Sequence, residues 1–92
     1  MQTKICKVIS QTEAVDVNSK KSESGKMAKS YIRLRELGGE YADEYQCTVF
    51  GEQAKTYFTP GQIVAVNLRF RTHENNGATY QDVVVNEIIP LN

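Results

Sequence analysis

The sequence predicts an all-β chain, and three observations carry that prediction. Apolar and polar residues alternate strictly in "YIRLRE" (Tyr31 to Glu36), and they alternate on both sides of the Asn-Gly pair in "VNLRFRTHENNGATYQDVVVNEI" (Val66 to Ile88). Period two is the mark of a half-buried strand. Turn residues divide these stretches at Gly38-Gly39, Pro60-Gly61 and Asn76-Gly77. Only one short segment, Glu52 to Phe58, reads as helix.

The elements follow in order. "TKICKVISQTEAV" places Ile5, Val8, Ile9 and Val15 among polar residues and reads as a strand, irregular around Val8-Ile9. Asp16 to Ser30 is polar and rich in Ser and Lys, with Gly25, and is expected to be a long flexible hairpin loop. The second strand begins at Tyr31, with Ile32 and Leu34 on one face and Tyr31, Arg33 and Arg35 on the other. A third strand spans Glu44 to Phe50, with Tyr45, Cys47 and Val49 on one side and Gln46, Thr48 and Phe50 on the other. The helix candidate over Glu52–Phe58 is about two turns long, too short to stand without tertiary support. A fourth strand is predicted over Gln62–His73 and a fifth over Ala78–Ile89, stopped by Pro90.

Five short strands with one short helix between the third and fourth match the five-stranded Greek-key barrel called the OB-fold. An SH3-like small barrel is the runner-up, but it does not normally place a helix there. Ninety-two residues suit one domain, 1–92, with a modest core. An apolar share of 40% and a charged share of 24% are ordinary for a globular chain. No apolar run approaches the roughly 18 residues of a membrane span. The opening "MQTKICKVIS" lacks the apolar stretch of a signal peptide. The expected compartment is therefore the cytoplasm. Cys6 and Cys47 are not spaced as a metal or redox pair and read as buried, reduced core residues.

Net charge is zero, yet the charge is segregated. Residues 1–35 carry eight cations against three anions, and residues 36–92 carry three against eight. A polyanion responds to the local patch rather than to the sum. A two-residue turn at Asn76-Gly77 sets the last hairpin's register. Glu74 then faces Thr79, His73 faces Tyr80, Arg71 faces Asp82 and Phe70 faces Val83. Val66, Leu68, Phe70, Val83 and Val85 share the dry side. Arg69, Arg71, His73, Tyr80, Asp82 and Val84 share the wet one, where a simple Arg71–Asp82 cross-strand ion pair with Tyr80 packed on His73 is the alternative to a ligand-binding role. Tyr31, Arg33, Arg35 and Phe50 add cations and rings from other strands, and a Lys20–Lys29 loop would add a cationic arm. Unpaired nucleic acid uses that mixture: cations neutralise phosphates, and each stacked base contributes about 1–3 kcal/mol.

The segment "YQCTVFGEQAKTYFTPGQIVAVNLRFRTHENNGATYQDVVVNEI" resembles the C-terminal half of bacterial single-stranded DNA-binding protein domains. The likeness rests on Val49-Phe50-Gly51, a helix opening Glu52-Gln53-Ala54, a Gly61 turn, Arg69-x-Arg71, and a hairpin closing with Tyr80 and Val83-Val84-Val85-Asn86. The resemblance implies DNA-contacting roles for Phe50, Arg69, Arg71 and Tyr80. It departs from the family where Glu44 replaces a stacking aromatic, where His73 stands roughly in place of a Trp, in a helix about a turn shorter, and in having no acidic tail. The small helix-destabilising proteins of filamentous phages are a second likeness, through "LGGEY", "TYFTPGQIVAV" and "EIIPLN". That comparison implies a role for Tyr41.

Both likenesses imply non-catalytic binding of single-stranded DNA, in replication, recombination or repair. RNA is a further candidate ligand, and a dimer or tetramer is the expected assembly. The residues expected at the interface are Lys26, Lys29, Tyr31, Arg33, Arg35, Tyr41, Phe50, Arg69, Arg71, His73 and Tyr80. A second reading is a protein-interaction OB domain of a primosome or conjugation accessory factor, favoured by the neutral charge and the missing Trp. Catalysis is not expected, because one His stands without a nucleophile or a cluster of metal-ligand spacing. "SESGK" lacks the full glycine spacing of a phosphate loop. No cofactor, metal or membrane partner is expected.

Overall fold

The computed structural model describes residues 2–19, 24–39 and 41–92. Its elements are β1 (Gln2–Gln11), β2 (Val15–Asn18), β3 (Lys26–Glu36), β4 (Glu44–Phe50), α1 (Glu52–Lys55), β5 (Ile63–Asn75) and β6 (Ala78–Pro90). The chain is mostly β. Its sheet runs β1-β5-β6-β4-β3-β2, and an additional β1–β3 pairing closes five of the strands into a ring. All ladders are antiparallel except the short parallel contact of β4 with β6 at Thr48 and Val84. No described helix is long and apolar enough to cross a membrane.

Closure depends on β1 serving two neighbours. Residues 2–7 pair with β5, and Cys6 to Gln11 pair with β3. The β3 register shifts between Val8 and Ser10, so Ile9 is an extra residue at a bulge. A bulge bends a strand and increases its twist. This is the irregularity expected at Val8-Ile9.

The core lies inside the ring. Cys6 and Val8 enter from β1; Ala28, Ile32 and Leu34 from β3; Cys47 and Val49 from β4; Val64, Val66 and Leu68 from β5; Val85 and Ile88 from β6. The last hairpin has the expected register, with Arg71 opposite Asp82 and His73 opposite Tyr80. Asn76 and Gly77 both take positive φ, 54° and 81°. That is the turn whose twist suits a two-residue hairpin, and it favours Asn-Gly.

A second bulge leaves no mark in the residue pattern. Leu68 faces Val85 but Asn67 faces Glu87, so Asn86 is the inserted residue. Strict alternation after Val85 would send Glu87 inward. The insertion instead buries Ile88 and leaves Glu87 exposed. Gln53 of α1 holds the bulge: its Nε2 donates to the Asn86 carbonyl at 3.1 Å, and its Oε1 accepts from the Ile88 amide at 2.9 Å.

Three expectations are corrected. Residues 16–18 and 26–30 are not loop, because β2 pairs with β3 from Val15↔Lys29 to Asn18↔Lys26. Small inward residues, Ala28 and Ser30, continue the alternation of Ile32 and Leu34 backwards, so β3 starts five residues earlier. Lys20 and Lys21, expected in the cationic arm, lie outside the described residues. The helix ends at Lys55 rather than Phe58. Thr56 is extended, and Gln11 grips the segment beyond it, donating to the Thr56 carbonyl at 2.9 Å and accepting from the Phe58 amide at 2.8 Å. Phe58 thereby enters the core while Tyr57 stays exposed. Finally, β6 runs through Pro90 instead of stopping before it. Pro90 faces Val64 near the end of that ladder, where a missing N–H costs least.

Leu34→Ala should cost about 2–5 kcal/mol, the usual range for emptying a fully buried leucine site. Deleting Asn86 should lower the urea midpoint less, because the strand then alternates without the inserted residue, with Glu87 still outward and Ile88 still inward, and only the bulge held by Gln53 is lost. Urea titration followed by circular dichroism checks the ranking.

Candidate nucleic-acid interface

Because the ring closes with one face inward, the outward residues of β3, β4, β6 and β5 form one continuous surface. Across it the registers align Lys29 with Phe50, Tyr31 with Thr48, Thr48 with Val84, Val84 with Arg69, Asp82 with Arg71, and Tyr80 with His73. An open depression of about 370 Å³ sits at the centre, lined by Lys29, Tyr31, Thr48, Phe50, Arg71, His73, Asp82 and Val84. Four strands supply those eight residues.

The local contacts are specific. Lys29 Nζ lies 5.1 Å from the Tyr31 ring centre and 5.8 Å from that of Phe50. Such cation–π contacts are worth about 0.5–1 kcal/mol at exposed sites, enough to bias where the ammonium rests. His73 stacks on Tyr80 with ring centres 5.3 Å apart and planes 23° apart. Its Nδ1 lies 2.8 Å from Asp82 Oδ2. Asp82 is therefore engaged by His73, and the Arg71–Asp82 ion pair expected from the register does not form. The partners are opposite in the ladder, but the imidazole two residues along takes the carboxylate. Val84 is 6% exposed although it points outward, and it floors the depression beneath the polar rim.

Other cations of the face are engaged. Arg33 Nε donates to Glu44 Oε1 at 2.6 Å, and Arg35 donates to Glu44 Oε2 through Nη2 at 2.7 Å and Nε at 3.2 Å. These bonds, those from Arg35 first, hold the Glu44 carboxyl below its ordinary value. Away from this face, on the side of β1 that carries Cys6 and Val8, Lys4 Nζ sits 2.9 Å from Glu36 Oε1, which also accepts from Tyr45 Oη at 3.1 Å. The Lys4 bond lowers the Glu36 carboxyl. Of the cations on the outward surface, Lys29, Arg69 and Arg71 have no carboxylate partner among the described residues.

Of the residues expected from sequence, Lys29, Tyr31, Phe50, Arg71 and His73 line the depression. Arg33, Arg35, Arg69 and Tyr80 occupy outward positions on the same strands. Lys26 lies elsewhere, in a separate hollow with Asp16, Glu52 and Lys55. Tyr41 stands apart on the β3–β4 connection, 93% exposed. Thr48, Val84 and Asp82 line the depression in addition to the residues expected from the sequence. Their alternation with Phe50 and with Arg71 was the available signal. Cys6 and Cys47 are free and fully buried, and burial pushes their thiols up to about 11 and about 12. No protein-family model matches the chain, and no curated protein sequence matches it.

A carboxyl held below its ordinary value of 4.5 binds protons less readily in the folded chain than in the unfolded one. The stability that Glu44 and Glu36 supply is complete above the ordinary glutamate range and fades as pH falls through the lowered folded values. Thermal melts from pH 7 down to pH 3 should show a decline that is shallower in E36Q and E44Q. Equal slopes in all three proteins would remove these pairs from the account.

Proposed function

We propose that this chain is a non-catalytic single-stranded DNA-binding protein built on an OB-fold. The strand pairing supports the fold assignment. A ring in the order β1-β5-β6-β4-β3, closed by β3 on β1, with β4 and β6 parallel and a helix between β4 and β5, is the connectivity of a five-stranded Greek-key barrel. The additional β2 lengthens the hairpin that leads into β3.

One observation carries the functional reading: Lys29, Tyr31, Phe50, Arg71 and His73, from three strands of the ring, line a single open depression with an apolar floor. Rings offer faces on which bases stack, and the cations beside them neutralise the backbone. The openness of the groove suits a polymer that enters sideways better than a small molecule that must be enclosed. Arg69, one step along β5 from the groove, extends the positive line. None of these groups needs to transfer a proton or form a bond for such binding.

Fluorescence anisotropy with labelled oligo(dT) across a salt series tests the reading. With Lys29, Arg69 and Arg71 as the cations of this face that lack a carboxylate partner among the described residues, log affinity should fall against log salt with a slope of about −2, since each phosphate contact contributes about −0.7 for single strands. Arg71→Glu and Lys29→Glu should each weaken binding at least tenfold and flatten the slope. Phe50→Ala should cost about 1–3 kcal/mol, or about 5- to 150-fold, with the salt slope unchanged, because a stacked ring releases no counterion. Absence of any oligo(dT) binding at about 50 mM salt, where polyanion contacts are strong, would discard this function in favour of a protein-docking OB domain.

A further inference from the structure

We infer that Arg33 and Arg35 form a second phosphodiester subsite on this face, and that Glu44 occupies it as an internal stand-in for the phosphate. The inference rests on the single-strand-binding reading and adds both a site and its control.

The geometry is that of an anion clamp. One carboxylate bridges two guanidinium groups, with Oε1 accepting from Arg33 and Oε2 accepting twice from Arg35. Two non-bridging phosphate oxygens present the same acceptor pair, and Arg recognises carboxylate and phosphate through the same planar donor fork. The side chains of Arg33 and Arg35 are 51% and 42% exposed, so an incoming anion reaches them without any opening of the barrel.

The position matches a ligand already lying in the groove. Tyr31, Arg33 and Arg35 are alternate residues of β3 and share its outward face. Alternate residues along a strand are separated by about 7 Å. A strand of nucleic acid leaving the ring of Tyr31 along β3 therefore passes over Arg33 and then Arg35. Glu44 is the residue opposite Arg35, at the first position of β4. Rotation of its side chain clears the clamp and leaves the ladder intact. Exposed ion pairs are weak individually and are screened by salt, so a polyanion engaged at the groove displaces the carboxylate readily. A short anion that reaches only the clamp gains little over the glutamate already there. The subsite thus favours a ligand long enough to engage groove and clamp together, and Glu44 keeps the affinity below what its two arginines would otherwise provide.

The experiment is oligo(dT) anisotropy at about 50 mM salt on the wild-type chain, E44Q, a second replacement E44S, and D43N. The last removes a neighbouring charge that contacts neither arginine. E44Q and E44S should bind about 3- to 10-fold tighter than wild type, with a salt slope steeper by about 0.7–1.4 as one or two further counterions are released. D43N should change affinity less than twofold. Adding R33A and R35A to E44Q should abolish the gain. Thermal melts establish that each variant is folded. If wild type binds but E44Q and E44S bind no tighter than D43N, or if their gain survives loss of both arginines, Glu44 is only a tie between β3 and β4 and the subsite is overturned. If wild type fails to bind any oligonucleotide, the single-strand reading falls first and this one with it.

Discussion

The change of partner along β1 is the constraint from which the rest follows. Its first half satisfies the edge of β5 and its second half the edge of β3, with Ile9 inserted where the ladders exchange. A flat sheet of these strands would leave backbone donors and acceptors exposed along both edges. Closing the ring joins β1 to β3 and gives each of its five strands an inner and an outer face. Val8, Leu34, Val49, Leu68 and Val85 then share one interior, although they are far apart in the chain. The same closure places Lys29, Phe50, Arg71 and His73 on one exterior surface. Core and groove are two sides of a single geometric event.

The electrostatics of that exterior are set locally. A neutral total conceals a surface on which some cations are satisfied and others are not. Glu44 engages Arg33 and Arg35, while Asp82 lies against the His73 imidazole rather than Arg71. Lys29, Arg69 and Arg71 are left facing solvent without carboxylate partners among the described residues. Lys29 rests against two rings instead, a contact it can exchange for a phosphate at small cost. The arrangement concentrates uncompensated charge at the groove and holds compensated charge beside it. Binding would therefore depend on which pairs a ligand can break, and not on net charge.

Where a strand buries large residues on one face, its alternation was legible in the sequence. Ile32 and Leu34, Cys47 and Val49, and the Asn76-Gly77 hairpin with its register all fall where period two and turn chemistry place them. The start of β3 was obscured because its inward positions are Ala28 and Ser30, whose small size and polarity resemble a loop. The Asn86 bulge was obscured because it depends on Gln53, thirty-three residues earlier in the chain. The end of α1 is not legible locally because Gln11, on β1, supplies the hydrogen bonds that hold Thr56 to Phe58 out of helix. The same division holds at the site. Rings and cations at outward positions could be read from the pattern, whereas the competition of His73 with Arg71 for Asp82 could not, since both are within reach of that carboxylate in a correct register.

Residue order alone sets which side of each long strand is dry, where the last hairpin turns, and which residue types its wet faces present. These properties are local: they follow from a two-residue repeat and from the φ values that Asn and Gly tolerate. Three-dimensional packing settles which wet faces adjoin, which cations meet a carboxylate, and where a strand gains a residue at a bulge. Those depend on distances between side chains that are remote in sequence, and such distances exist only once the ring has closed.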